Sequence, residues 1–242
     1  MSLPMKVFGL TFFICCLVTT SVLSQSLLGA WENTSAAEDG TLIKSVAIFS
    51  EGYQTATWFD AKTGAFIKTN GGLWELNGAS LTETVEFDSD KPERVGSQIT
   101  FEIVLEKNTL KAVGDDLVWT RIDDGTPGKL NGAWLISGRM RNGEIQQRDT
   151  NRPRKTMKIL SGTRFQWIAY NTETKEFMGT GGGTYTSENG KYIENIGFFS
   201  RDNSRVGASL SFDFKLEDGN WHHSGKSSKG NPIYEIWSPR KQ

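Results

Sequence analysis

The segment Leu27-Leu-Gly-Ala-Trp31 recurs as Leu130-Asn-Gly-Ala-Trp134, and beyond it two halves of the chain align. At a constant offset of 111 residues Phe66 falls on Phe177, Thr69 on Thr180, Gly71 and Gly72 on Gly182 and Gly183, and Trp74 on Tyr185. The same offset carries Glu83 to Glu194, Phe87 to Phe198, Arg94 to Arg205 and Phe101 to Phe212 without a gap. A repeat constrains the fold more than any local propensity, because what one copy builds the other must build too. Each unit spans about 105 residues, the size of a small domain. The boundaries read as a first unit over 25–123, a Gly- and Pro-containing linker over 124–129 and a second unit over 130–242.

Residues 1–24 stand outside the repeat. Lys6 precedes an apolar run over 7–23, and Val22-Leu23-Ser24 offers small residues at the positions a signal peptidase reads. The segment therefore reads as an export signal and not a membrane span, and the protein as secreted or periplasmic, with no stable membrane insertion. Both cysteines, Cys15 and Cys16, lie inside it, so the two units must cohere through their cores without disulfides. What remains carries 26 basic and 28 acidic residues, a balance that gives no electrostatic reason to expect nucleic acid as a partner.

Within each unit apolar residues alternate with polar ones, and turn signals recur every 8 to 12 positions, the pattern of a barrel or sandwich. Leu210, Phe212, Phe214 and Leu216 share one face of a strand whose other face holds Ser209, Ser211, Asp213 and Lys215. Eight strands are expected per unit. Those of the second begin near Trp134, Thr156, Phe165, Phe177, Tyr192, Leu210, Trp221 and Tyr234. Tight signals such as Glu188-Asn-Gly190 and Glu217-Asp-Gly219 make neighbours antiparallel, and closure into a barrel removes the exposed edges. The fold class is all-β: two tandem eight-stranded antiparallel up-and-down barrels.

Each unit opens on Gly-x-Trp, at Gly29-Ala-Trp31 and Gly132-Ala-Trp134, and closes on an arginine, at Trp119-Thr-Arg121 and Trp237-Ser-Pro-Arg240. In these features the chain resembles the lipocalin and calycin group of ligand-binding barrels, and among them secreted bacterial lipocalin-like proteins. The resemblance implies that the first-strand Trp and last-strand Arg close one end of each barrel, Trp31 with Arg121 and Trp134 with Arg240. Pro239 sets Arg240 one place out of register with that pattern.

The glycine-rich stretch at residues 179–185, GTGGGTY, has neither the lysine of a phosphate loop nor the last glycine of a dinucleotide fingerprint. It aligns with residues 68–74 between two strand-like segments, so it reads as a strand that bends sharply and leaves space beside it.

Alternation places Leu81, Glu83, Val85 and Phe87 on one face of the first unit's fifth strand, and Tyr192, Glu194, Ile196 and Phe198 on that of the second. A carboxylate in an apolar row must be paired, hydrogen-bonded or protonated. Arg94 and Arg205, or a bound water, are the expected partners. The units then diverge: Leu110 and Ala112 correspond to Trp221 and His223, and Leu117 and Trp119 to Glu235 and Trp237. The second barrel thus gathers Glu194, His223 and Glu235 as a polar floor, with Trp221, Trp237, Tyr192, Phe198 and Phe212 around it. Such a floor anchors the head of a small apolar or amphiphilic ligand. Two alternatives stay open: an enzyme using Glu194, His223 and Glu235 as an acid–base or metal site, and a structural or protein-binding module with filled barrels. A lone imidazole without a spacing motif is a poor metal site, so no cofactor is expected. The runs Arg139-Met-Arg-Asn-Gly143 and Arg152-Pro-Arg-Lys155 read as solvated hairpin charges.

Overall fold

The computed structural model describes residues 26–126, 128–227 and 229–241; the export-signal reading of residues 1–24 lies outside them. The first copy forms β1 (Gly29–Ala36), β2 (Leu42–Ser50), β3 (Tyr53–Asp60), β4 (Phe66–Asn77), β5 (Ser80–Asp88), β6 (Gln98–Leu105), β7 (Thr109–Ala112) and β8 (Val118–Asp123). Each pairs antiparallel with the next, and β1 pairs with β8 to close the barrel. The second copy forms β9 (Gly132–Arg141), β10 (Glu144–Gln147), β11 (Arg154–Leu160), β12 (Arg164–Asn171), β13 (Phe177–Glu188), β14 (Lys191–Phe199), β15 (Ser209–Glu217), β16 (Asn220–Lys226) and β17 (Pro232–Pro239). Here β17 closes on β9, while β10 is a short extra strand folded back on the end of β9. The expectation of two eight-stranded up-and-down barrels holds, with one added hairpin. Asn142 and Gly143, both at positive φ (51° and 84°), make its two-residue turn.

One end of each barrel is plugged by its first-strand tryptophan. Trp31 Nε1 donates to the Leu27 carbonyl at 3.0 Å, and Trp134 Nε1 to the Leu130 carbonyl at 2.9 Å. Both indoles are buried, so these bonds satisfy the one polar group each brings inside. Around Trp31 the first lumen is packed with Leu27, Ala47, Phe49, Leu81, Ile103 and Leu110.

The outer faces of β2 and β11 are as apolar as the inner ones, because the barrels pack side by side. Val46 and Ile48 alternate with the luminal Ala47 and Phe49, and Met157 and Ile159 with Lys158 and Leu160; the former set forms the core between the barrels. That core has pseudo-two-fold symmetry. Phe66 stacks on its own counterpart Phe177 at 6.0 Å between ring centroids, and Thr55 Oγ1 donates to its counterpart Gln166 at 2.9 Å. Phe59 meets Phe198 at 5.1 Å, and the equivalent exchange, Tyr170 with Phe87, lies at 4.9 Å. This self-complementary arrangement is the one a two-fold dimer of a single barrel would have. At its centre the buried Gln166 amide accepts from Thr55 and Thr57 and donates to Thr69 and Thr180, all within 3.0 Å. The linker side is tied by Asp123, whose carboxylate accepts from Ser161, Gly162 and Thr163 in the β11–β12 turn.

Three expectations from the sequence need correction. The glycines do bend the strand, with a register shift between Gly182 and Gly183, but aromatic rings fill the space beside Gly181 and Gly182, while Gly183 borders a hollow of about 340 Å³ between the barrels. A Cβ on Gly181 would fall 2.7 Å from Trp167 and 2.8 Å from Phe199, and one on Gly182 2.7 Å from Phe198. The same bulge reverses the facing of β14 beyond Ile196, so Phe198 points into the inter-barrel core instead of the lumen, and Phe199 turns towards Trp167. Arg240 does not lie on Trp134. Its guanidinium bonds Glu86 through both terminal nitrogens, at 2.7 and 2.6 Å, donates to Tyr170 and lies 4.2 Å over the Tyr53 ring, clamping the barrels together. Arg121, by contrast, lies 4.0 Å over the Trp31 ring and donates to the Ser26 and Leu28 carbonyls.

Candidate functional site

The second lumen is built above Trp134. On β11 the residue paired with Trp134 is Lys158, where the first barrel pairs Trp31 with Ala47. Lys158 Nζ meets Glu194 Oε1 of β14 at 2.7 Å, both side chains 6% exposed. It also sits 5.0 Å from the Tyr192 and Trp221 ring centroids and 5.2 Å from that of Trp237. A buried ion pair survives desolvation only with good geometry and further partners, and the three rings supply the remaining cation contacts. The expected pairing of Glu194 with Arg205 gives way to this one, since Arg205 bonds Asp202 at 3.1 Å. Arg94 likewise bonds Asp88 at 2.9 Å and not Glu83. Glu83 has no cation within ion-pair distance among the described residues, and burial pushes its carboxyl above the usual value, the charge of Arg94 only partly opposing this.

Cross-strand register brings His223 of β16 opposite Glu235 of β17. His223 Nδ1 lies 3.4 Å from Glu235 Oε2, which also accepts from Trp237 Nε1 at 3.2 Å. Burial lowers the His223 pKa, and the Lys158 cation lowers it further against the pull of Glu235. Burial pushes Glu235 up, but the bond from His223 and the charge of Lys158 outweigh it and hold the carboxyl below its usual value. At neutral pH this gives a carboxylate beside a neutral imidazole. The Nδ1 hydrogen faces Glu235, which leaves Nε2 as an acceptor.

Among the described residues two buried polar atoms of this region, Trp221 Nε1 and His223 Nε2, have no hydrogen-bond partner, while the Tyr192 hydroxyl faces the Glu194 carboxylate. Their rings pack on one another, with centroids 4.9 to 5.7 Å apart. Burial, reinforced by the Glu194 charge, holds Tyr192 well above the usual phenol value, so its hydroxyl keeps its hydrogen. Above these rings lies a cavity of about 230 Å³. Lys158, Glu194, His223, Glu235, Phe212 and Trp237 border it, together with Ile196, Ser227 and Ile233. Ser227 belongs to the loop before the last strand.

Glu194, His223, Glu235, Phe212 and Trp237 of the sequence-derived set therefore share one cavity, with Tyr192 and Trp221 packed beneath. Phe198 is elsewhere, and Lys158 was missed. Its signal was present: in Thr156-Met-Lys-Ile-Leu160 a lysine falls on the inward phase of a buried strand. A larger hollow of about 700 Å³ is an open cleft between the barrels beside Gly132 and Arg240. None of the unpaired buried atoms borders it, so the lumen is the better candidate. Among the described residues no group of three or more His, Cys, Asp or Glu side chains is placed to hold a metal. No helix among them is long and apolar enough to cross a membrane.

No protein-family model and no curated protein matches the chain. Among solved structures it is similar to the crystal structure of the Cpx pathway activator NlpE from Escherichia coli. The identity is 11% and the TM-score 0.26, over 88% of this chain and 92% of that one.

Proposed function

We propose that this chain is an exported small-molecule-binding protein whose second barrel holds a small, partly apolar ligand by its polar head. The observation that carries this reading is the unused acceptor His223 Nε2 on the border of the cavity, with the unpartnered Trp221 Nε1 packed beside it, among the described residues. Buried polar groups are nearly always paired, and each one left bare costs about 1–3 kcal/mol, so two such groups side by side mark a place completed by something else. Aromatic walls with a few convergent polar groups are the usual make-up of a small-ligand site. The cavity of about 230 Å³ lies below the common range of about 300–1,000 Å³, which points to a compact ligand.

Native mass spectrometry of the purified protein tests this. The expected result is one bound small molecule per chain, released on denaturation and absent from a His223→Leu/Trp221→Phe variant that melts at a similar temperature. A bare mass under gentle conditions, together with no thermal shift from a panel of small alcohols, amines and carboxylic acids, would refute it.

A further inference from the structure

The second copy carries eight more residues between the strands that hold Trp134 and Lys158 than the first does between those of Trp31 and Ala47. The extra residues make the β9–β10 hairpin and the segment leading to β11. In the first copy the corresponding turn, residues 37–41, holds Glu38 and Asp39 and no cation. In the second, residues 139–155 hold Arg139, Arg141, Arg148, Arg152, Arg154 and Lys155 against Glu144 and Asp149. Asp149 stands 3.8 Å from Arg152. Among the described residues no carboxylate reaches ion-pair distance of Arg139, Arg141, Arg148 or Arg154. Burial, and then repulsion from Arg139, Arg154 and Arg141, lowers the pKa of Arg148, with the charge of Glu235 only partly opposing it.

The hairpin is two-sided. Register places Arg141 opposite Glu144 and Arg139 opposite Gln146, one face continuing to Arg148. The other face carries the paired Met140 and Ile145, 45% and 46% exposed. Arg139 also lies opposite Glu235, which borders the luminal cavity. An exposed apolar pair flanked by arginines that outnumber the carboxylates Glu144 and Glu235 across from them, on a chain whose overall charge is −1, is a local feature and not a general basic character.

We propose that the β9–β10 hairpin docks the protein on an anionic lipid surface, Arg139, Arg141 and Arg148 meeting headgroup phosphates and Met140 with Ile145 entering the interface. The apolar pair distinguishes a lipid surface from a nucleic acid or other soluble polyanion, which has no use for it. This inference stands on the hairpin alone and does not require the luminal ligand.

Co-sedimentation of the purified protein with vesicles of phosphatidylglycerol and phosphatidylcholine, against phosphatidylcholine alone, tests it at low and high salt. Binding is expected only to the anionic vesicles and to weaken with salt. Arg141→Ala should lower partitioning about fivefold and Arg141→Ala/Arg148→Ala about 25-fold. Met140→Ser/Ile145→Ser, which changes exposed positions only, should also weaken binding while leaving the melting temperature in place. Equal binding to both vesicle types, no binding to either, or retention on heparin without vesicle binding would overturn the proposal. So would a Met140→Ser/Ile145→Ser variant that binds as the parent does.

Discussion

Around Trp31 the first barrel sets Ala47, Leu81, Leu110 and Ala112; around Trp134 the second sets Lys158, Tyr192, Trp221 and His223. The backbone, the plugging tryptophan and the luminal carboxylate, Glu83 or Glu194, are common to both. One copy therefore buries a carboxyl among apolar side chains and raises its pKa, while the other gives it a lysine and an aromatic cage. The comparison teaches that a barrel's fold is indifferent to what fills it as long as each buried charge is answered. A duplicated chain can keep one lumen as a core and open the other to chemistry.

The largest test of that contrast is Lys158→Ala, which imitates Ala47 and leaves Glu194 buried without its cation. A loss of about 3–5 kcal/mol is expected in urea unfolding. Lys158→Ala/Glu194→Leu should recover most of it, because an apolar pair of similar volume replaces the ion pair without stranding a charge. If the single variant cost no more than an exposed substitution, the buried pair would not be the organising feature of the second lumen.

The two closing arginines give the next contrast. Arg240 is 8% exposed in its bonds to Glu86, so Arg240→Ala should cost about 3 kcal/mol and loosen the barrels from each other, visible as faster hydrogen exchange across β5 and β12. Arg121 stacks on Trp31 nearer the surface, and Arg121→Ala should cost about 1 kcal/mol. Equal costs would mean that both arginines do the same work. Between them in size falls Gln166→Leu, which strands threonine hydroxyls in the interface and should cost about 2 kcal/mol in thermal unfolding.

The smallest expected effect separates the copies by pH. His223 has a folded pKa below its unfolded value, so its contribution is present above about pH 6.5 and is lost as the pH falls and the unfolded chain takes up the proton. Glu83 has a folded pKa above its unfolded value, so its contribution is present at low pH and is lost as the pH rises from about 4.5 through the folded value. Acidification from pH 7 towards 4.5 should therefore weaken the second barrel and, as the pH approaches 4.5, strengthen the first. His223→Phe and Glu83→Gln should flatten the two trends separately in urea titrations across that range. Parallel trends in both variants would contradict the assignment.

Much of the architecture could be read from the chain, because the offset of 111 residues and the two-residue alternation are enforced along whole strands by burial. The opposition of His223 and Glu235 followed from the same regularity, strands seven and eight being neighbours. What escaped were departures from it. A bulge at Gly183 inverts the end of β14 and sends Phe198 outward; the sequence shows Gly197 there but not which residue the ladder skips. Pro239 marks the displacement of Arg240, yet its partner Glu86 belongs to the other copy, and no pattern within one repeat could name it. Lys158 was hidden by its own chemistry, since lysine is a residue ordinarily assigned to water.

The most direct test of the central claim, a packed lumen in the first barrel and a receptive one in the second, is a titration of isoleucine-methyl-labelled protein with 2-phenylethanol followed by NMR. Saturable shifts at Ile196 and Ile233, with Ile103 of the first lumen unmoved, are the predicted result. Shifts at Ile103 as large as those at Ile196, or none at Ile196 and Ile233 up to the solubility of the probe, would contradict it.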